Sequence, residues 1–167
     1  LTSGGNVSLT GANQVNKLAA SMPASGSLDF SNAQALAIDT VGGTNGIVFT
    51  NNSSPINITT TVGDLTVNQP ILSDGTGGGS AITLTAAGKI DLQAAVTSTS
   101  GDIPMPSGPV KLVTVAGGIT SNSSGIITAD TLEVISGGSV TLNAPNNINT
   151  LAGNITGPGI IGSAFEF

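Results

Sequence analysis

The sequence predicts an all-β chain wound as a β-solenoid, with about 17–21 residues a turn and roughly eight turns. Three observations lead there. Apolar residues recur with one polar residue between them, as in Leu28-Asp29-Phe30 and Ile90-Asp91-Leu92. Alternation at period two marks a short strand with one face buried. The apolar pairs follow one another at steps of eight or nine residues and again at steps of 17 to 20, which suits a coil with two or three short strands per turn. The single Asn-Gly, Asn45-Gly46, does not recur between neighbouring pairs, as a meander of tight hairpins would require.

From the amino end, the strands are read at Val7/Leu9, Leu28/Phe30, Leu36/Ile38, Ile47/Phe49, Ile56/Ile58 and Leu65/Val67. They continue at Ile82/Leu84, Ile90/Leu92, Val110/Leu112, Val113/Val115, Leu132/Val134 and Val140/Leu142. Asp29, Asp91, Lys111 and Glu133 each stand between two apolar residues, so their side chains are expected to point outward. Glycines such as Gly26, Gly46, Gly63, Gly88 and Gly138 fall at the breaks, where a corner needs backbone freedom. Only residues 14–22 and 32–36 tolerate a helix, and both are short. Two stretches break the rhythm and are expected to loop out of the coil. Residues 73–80 (SDGTGGGS) have the composition of a flexible loop. Residues 97–109 (TSTSGDIPMPSGP) carry three prolines, which do not fit a central ladder.

Composition excludes several functions. The chain has 167 residues, a net charge of −6, three lysines, no arginine, no histidine and no cysteine. Neutralising phosphates takes several cations, so nucleic acid is not an expected partner. No apolar run approaches the roughly 20 residues of a spanning helix, so membrane insertion is not expected either. The wealth of Val, Ile and Thr argues against disorder. The acids stand singly along the chain. The one close pair, Asp130 and Glu133, sits at the entry and on the outer side of one strand. General acid–base, nucleophilic and metal chemistry are therefore poorly supplied, and neither enzyme activity nor a cofactor or metal is expected. The lone Ser73-Asp74-Gly75 turn is a faint likeness to calcium-binding turns, which work by repetition. Six Asn-x-Ser/Thr sequons occur, at Asn6, Asn51, Asn52, Asn57, Asn122 and Asn154.

Residues 3–22 (SGGNVSLTGANQVNKLAASM) return as residues 136–155 (SGGSVTLNAPNNINTLAGNI), with nine of 20 positions identical at an offset of 133 and no gap. Residues 1–167 are thus read as one solenoid segment, a large repeat of six to seven turns followed by the start of the next.

The stretches GSLDFSNAQALAIDTVGGTNG, GDLTVNQPI, ITLTAAGKIDL and ITADTLEVISGGSVTLNAPNNINTLAGNI resemble the passenger repeats of filamentous-haemagglutinin-like exoproteins, large bacterial surface proteins of two-partner secretion systems. The resemblance covers nearly the whole chain. It implies a right-handed parallel β-helix, secreted and displayed on the bacterial cell surface, serving adhesion or biofilm formation. It also implies an outer-membrane transporter as partner, engaged through a domain absent here. The Asn-Pro-Asn motifs of that domain are missing, and the nearest approach is Ala144-Pro145-Asn146. A chain threaded unfolded through a pore is also well served by having no disulfides.

The expected role is a stiff, non-catalytic rod about 40 Å long, at about 4.8 Å a turn. A host-cell or glycan receptor is the expected partner, met by the loops. The candidate contacts are Thr97, Ser98, Asp102, Pro104, Met105, Pro106 and Pro109, since binding residues favour loops on rigid scaffolds. Two alternatives stay open. Thr59/Thr61 and Thr83/Thr85 offer Thr-x-Thr pairs of the kind that order water or bind carbohydrate, though not at every turn. Uncapped solenoid ends invite end-to-end self-association into fibres. Phe165 and Phe167 are placed to cap the last turn; Glu166-Phe167 is also a dipeptide that a common cloning site encodes.

Overall fold

A computed structural model describes residues 1–50, 53–75, 78–100, 107–157 and 164–167. Among these residues there is no helix, and the strands stack in parallel as a β-solenoid of about 6 turns. Each turn crosses three faces. The first face carries Val7–Asn13, Leu28–Asn32, Ile56–Thr60, Ile82–Ala86 and Val110–Thr114. The second carries Lys17–Leu18, Leu36–Ile38, Leu65–Val67, Ile90–Leu92, Ile119–Ser121, Val140–Thr141 and Phe165–Glu166. The third carries Ala20–Met22, Ile47–Thr50, Ile71–Gly75 and Val96–Ser100. Ile127–Ser136 and Asn147–Ile155 are long enough to run from the third face onto the first without a break.

Turns in the middle of the coil are longer than the spacing of apolar pairs suggests, while those at its ends match it, as Val7 pairs with Leu28 and Ile119 with Val140, each 21 positions on. Ile47 pairs with Ile71, Leu36 with Leu65 and Leu28 with Ile56. Val96 pairs with Ile127, 31 positions on, and Thr128 with Asn147, 19 positions on. In the middle of the coil the steps of 17 to 20 residues instead join strands on different faces, as from Leu28 to Ile47 and from Leu65 to Ile82. The pattern counts short because two of the third-face strands lack a second large inward residue. Ile71–Gly75 turns Ile71 and Ser73 inward, and Val96–Ser100 turns Val96 and Ser98 inward. An apolar–polar–apolar template passes over both strands. With about six turns rather than eight, the rod is about 29 Å long at about 4.8 Å a turn.

The core is a set of inward columns, one residue per turn. Leu28, Ile56, Ile82, Val110 and Leu132 form one such column, and all are fully buried. At about 25 cal/mol per Å² of apolar surface, such columns supply the main driving force, and every turn shares its part with two neighbours. Lys111 and Glu133 point outward as the alternation requires, and they meet as an ion pair at 3.0 Å across adjacent turns. Asp29 and Asp91 are likewise outward, accepting hydrogen bonds from Asn57 Nδ2 (2.6 Å) and Gln93 Nε2 (2.6 Å). Val113 and Val115 are not an inward pair. Val113 faces out, and Val115 lies exposed on a corner.

The 133-residue repeat is not a whole number of turns. Val7 lies on the first face, but its counterpart Val140 lies on the second, five turns and one face further on. A short alternating strand carries nothing that ties it to one face, so one sequence serves on either.

Candidate interaction surface

The three corners of the coil are built differently. Between the first and second faces the chain turns in three or four residues, except in the last turn, where residues 156–164 separate Asn147–Ile155 from Phe165–Glu166. Inward Asn32, Thr60, Thr114 and Ser136 stand at the entry of this corner, with Ala86 taking the same place in the turn between Thr60 and Thr114. Each of the four polar side chains hydrogen-bonds a corner carbonyl: Asn32 Nδ2 to Gln34 O (3.0 Å), Thr60 Oγ1 to Gly63 O (3.1 Å), Thr114 Oγ1 to Gly117 O (2.6 Å), Ser136 Oγ to Gly138 O (2.8 Å). Gly88 and Gly117 lie in this stack, where a Cβ would run into the backbone of the turn before.

At the corner between the second and third faces, one turn differs. Thr40–Val41 and Thr44–Asn45 form an antiparallel hairpin closed by Gly42 and Gly43, with φ of 56° and 85°. Two successive residues at positive φ are what a two-residue hairpin turn demands. The Gly-Gly pair between Thr-Val and Thr-Asn is the signal in the sequence for it. Lys17 grips its base, with Nζ 2.8 Å from Asp39 Oδ2. That ammonium and the Thr40 backbone N–H hold the Asp39 carboxyl below its ordinary 3.8. Above Asp39, the same corner carries Gln93 and Asn122, joined by Asn122 Nδ2 to Gln93 Oε1 at 2.6 Å.

Between the third and first faces, residues 23–27, 51–55, 76–81 and 101–109 join the strands in four consecutive turns. Both stretches expected to loop out therefore fall between third-face and first-face strands, in adjacent turns. The excursions are shorter than the sequence suggests. Ser73, Asp74 and Gly75 belong to Ile71–Gly75, and residues 97–100 belong to Val96–Ser100. Among the described residues, proline is excluded from the ladder. Pro55 and Pro109 stand exposed just before the first-face strands, offering carbonyls to Leu28 N (3.1 Å) and Ile82 N (3.0 Å).

The predicted contact residues separate on this edge. Thr97 points outward between Leu72 and Thr128, and Pro109 is exposed. Asp102, Pro104, Met105 and Pro106 lie outside the described residues. Ser98 is fully buried and is no surface contact. Its Oγ donates to Ser80 O (2.6 Å) and accepts from Gly108 N (3.1 Å), while Asp130 N donates to Gly108 O (3.1 Å). A small inward hydroxyl thus ties its own turn to the one before at the root of the connection, and a backbone bond ties Gly108 to the turn after. An outward column of Thr50, Asp74 and Thr99 borders the same edge.

Asp130 and Glu133 do not share a site. Asp130 Oδ1 accepts from Asn149 Nδ2 at 2.9 Å, while Glu133 pairs with Lys111. Among the described residues, no three acids gather where they would hold a metal ion. Thr59 and Thr85 are stacked neighbours, but the column beside them runs Asp29, Asn57, Thr83, Lys111 and Glu133, a mixture of charge and amide. Of the sequons, Asn57 and Asn122 spend their amides within such columns. Comparison with known family models, curated proteins and solved structures gives no match.

Proposed function

We propose that this chain is a structural and adhesive rod segment of a large secreted bacterial surface protein, presenting its third-to-first-face edge to a host-cell or glycan receptor. The observation that carries this reading is that connections of five, five, six and nine residues join the third face to the first in four consecutive turns of a coil whose parallel strands hold a fixed register. A rigid scaffold with variable loops on one side is how many binding surfaces are built. The resemblance to filamentous-haemagglutinin-like passenger repeats supports the cell-surface setting. Outward Thr50, Asp74, Thr99 and Thr97 supply polar groups of the kind that sugars and peptide edges accept.

The test is binding of the purified chain to host cells and to a glycan panel, beside an Asp74→Arg/Thr99→Arg variant. Both positions are outward, so circular dichroism should be unchanged. Saturable binding that falls at least tenfold in the variant supports the reading. Equal binding by both chains moves the contact elsewhere, and no binding by either leaves a spacer whose adhesion lies in other segments.

A further inference from the structure

We propose that Asn45-Gly46 is a self-modification site, where Gly46 N closes a cyclic imide on Asn45 Cγ that water opens to aspartate or isoaspartate, and that the hairpin of residues 40–45 sets the pace. Asn45 is the one asparagine of the chain that is followed by glycine. A glycine follower leaves the attacking nitrogen unshielded by a side chain. The coil also demands glycine there. Gly46 has φ of 64°, and a Cβ on it would run into Pro70 O of the next turn. The fold thus builds a reactive bond into the exit of its own hairpin.

While the hairpin is closed, the bond is held in an unreactive arrangement. Asn45 is exposed, so water reaches its amide, but it pairs with Thr40 across the hairpin. Its Oδ1 accepts from Thr40 Oγ1 at 2.7 Å. Gly46 is buried, and its N–H donates to Asp39 O at 3.2 Å. For attack, that N–H must leave Asp39 and the Asn45 side chain must leave Thr40. Both steps open the base of the hairpin, which the Lys17–Asp39 pair and the Gly42-Gly43 turn hold shut. Opening one short surface hairpin costs far less than unfolding the coil.

In the open state a solvent base takes the Gly46 amide proton. The N–Cγ bond forms and Oδ1 takes the negative charge. On collapse the Cγ–Nδ2 bond breaks, and Nδ2 leaves as ammonia with a proton from water. Water then adds to one imide carbonyl. Addition at Cγ breaks its bond to nitrogen and gives aspartate. Addition at the main-chain carbon of residue 45 gives isoaspartate, whose backbone is longer by one methylene. Nothing is oxidised or reduced. Gly46 cannot shift to absorb the methylene, because its O accepts from Ala20 N at 2.9 Å and its Cα is pressed against Pro70 O. The extra length therefore falls on the Thr40–Asn45 pairing, and the hairpin stays open once it has reacted.

The test incubates the full chain in mildly alkaline buffer and follows residue 45 by peptide mapping with mass spectrometry. Asn45 should become a mixture of aspartate and isoaspartate, through an intermediate that has lost ammonia. Asn122, which precedes Ser123, should keep its amide, because its Oδ1 accepts from Ser124 N (2.8 Å) and Gly125 N (3.0 Å) and its Nδ2 donates to Gln93 Oε1. Two variants loosen the hairpin. Gly43→Val places a side chain at φ of 85° with nothing within 4 Å, so only the turn is strained. Asn45 should then react about tenfold faster. Lys17→Met removes the ion pair at the base and should speed the reaction about threefold. Circular dichroism and the Asn122 amide check in each sample that the coil is intact. Equal rates at Asn45 in all three chains, an equal rise at Asn122, aspartate without isoaspartate, or an Asn45 that outlasts Asn122 would overturn the proposal. None of these results depends on receptor binding.

Discussion

The first-to-second-face corner and the third-to-first-face edge carry the same coil past two bends and solve them in opposite ways. The first bend is spare. Up to the last turn it takes three or four residues, its glycines stack without room for a Cβ, and inward hydroxyls bond its carbonyls. The second bend takes five, five, six and nine residues in four successive turns. A solenoid needs only one well-determined corner to fix the rise between turns. The others can then be spent on chemistry, so sequence variation gathers where the backbone is least constrained.

The sharpest way to break the comparison is to add atoms to the tight corner. Gly117→Val would push a Cβ to within 2.6 Å of Lys89 N and 2.7 Å of Gly88 C, both backbone atoms. Close-packed backbone does not yield cheaply, so the variant should lose about 4 kcal/mol or more. Pro55→Ala, at an exposed position on the loop edge, should lose less than about 0.5 kcal/mol. Chemical denaturation of the two variants measures both. Similar losses would mean that the two bends are equally determined.

A smaller effect separates the hydroxyls. Thr114 is buried, and its Oγ1 bonds Gly117 O at 2.6 Å and meets Ser136 Oγ at 3.1 Å. Thr114→Val would leave corner groups unsatisfied and should cost about 1–3 kcal/mol. Thr99→Val replaces an outward residue of the loop edge and should stay within about 0.5 kcal/mol. Amide exchange adds a local reading, since Gly137 N, which lies 3.2 Å from Thr114 Oγ1, should exchange faster in the first variant only.

This contrast also explains what could be read from the sequence. Inward and outward assignments at Asp29, Asp91, Lys111 and Glu133 follow from period-two alternation, a local property that the strand itself enforces. Turn length does not follow, because Ser73 and Ser98 take inward places where a template expects Leu or Ile. A small polar residue is admitted to the interior when the coil provides its partners, as Ser80 O and Gly108 N do for Ser98. Those partners lie 18 and 10 positions away along the chain and are invisible to any local window. Ser98 was thus expected at a surface for the same reason that a turn was counted short. The repeat at 3–22 and 136–155 falls on different faces, so a long-range sequence match does not report position around the coil either.

The third corner gives the smallest and most local prediction. Asp39 sits at the base of the Thr40–Asn45 hairpin, held below 3.8 by Lys17 first and then by the Thr40 N–H. A carboxyl whose pKa is depressed in the folded state adds stability above its unfolded value and loses that contribution as pH falls through the folded one. The window therefore lies below 3.8. Asp39→Asn should melt slightly below the original chain at neutral pH, and the difference should vanish as the solution is acidified past the folded midpoint. Because the pair is exposed, the difference should be small and should shrink with added salt. An NMR titration of the Asp39 carboxyl reads the effect directly. Its midpoint should fall under 3.8 and return towards that value in Lys17→Met. A midpoint at or above 3.8 in the original chain would mean that the ion pair does not hold the hairpin in solution, and that the hairpin is secured by its Gly-Gly turn alone.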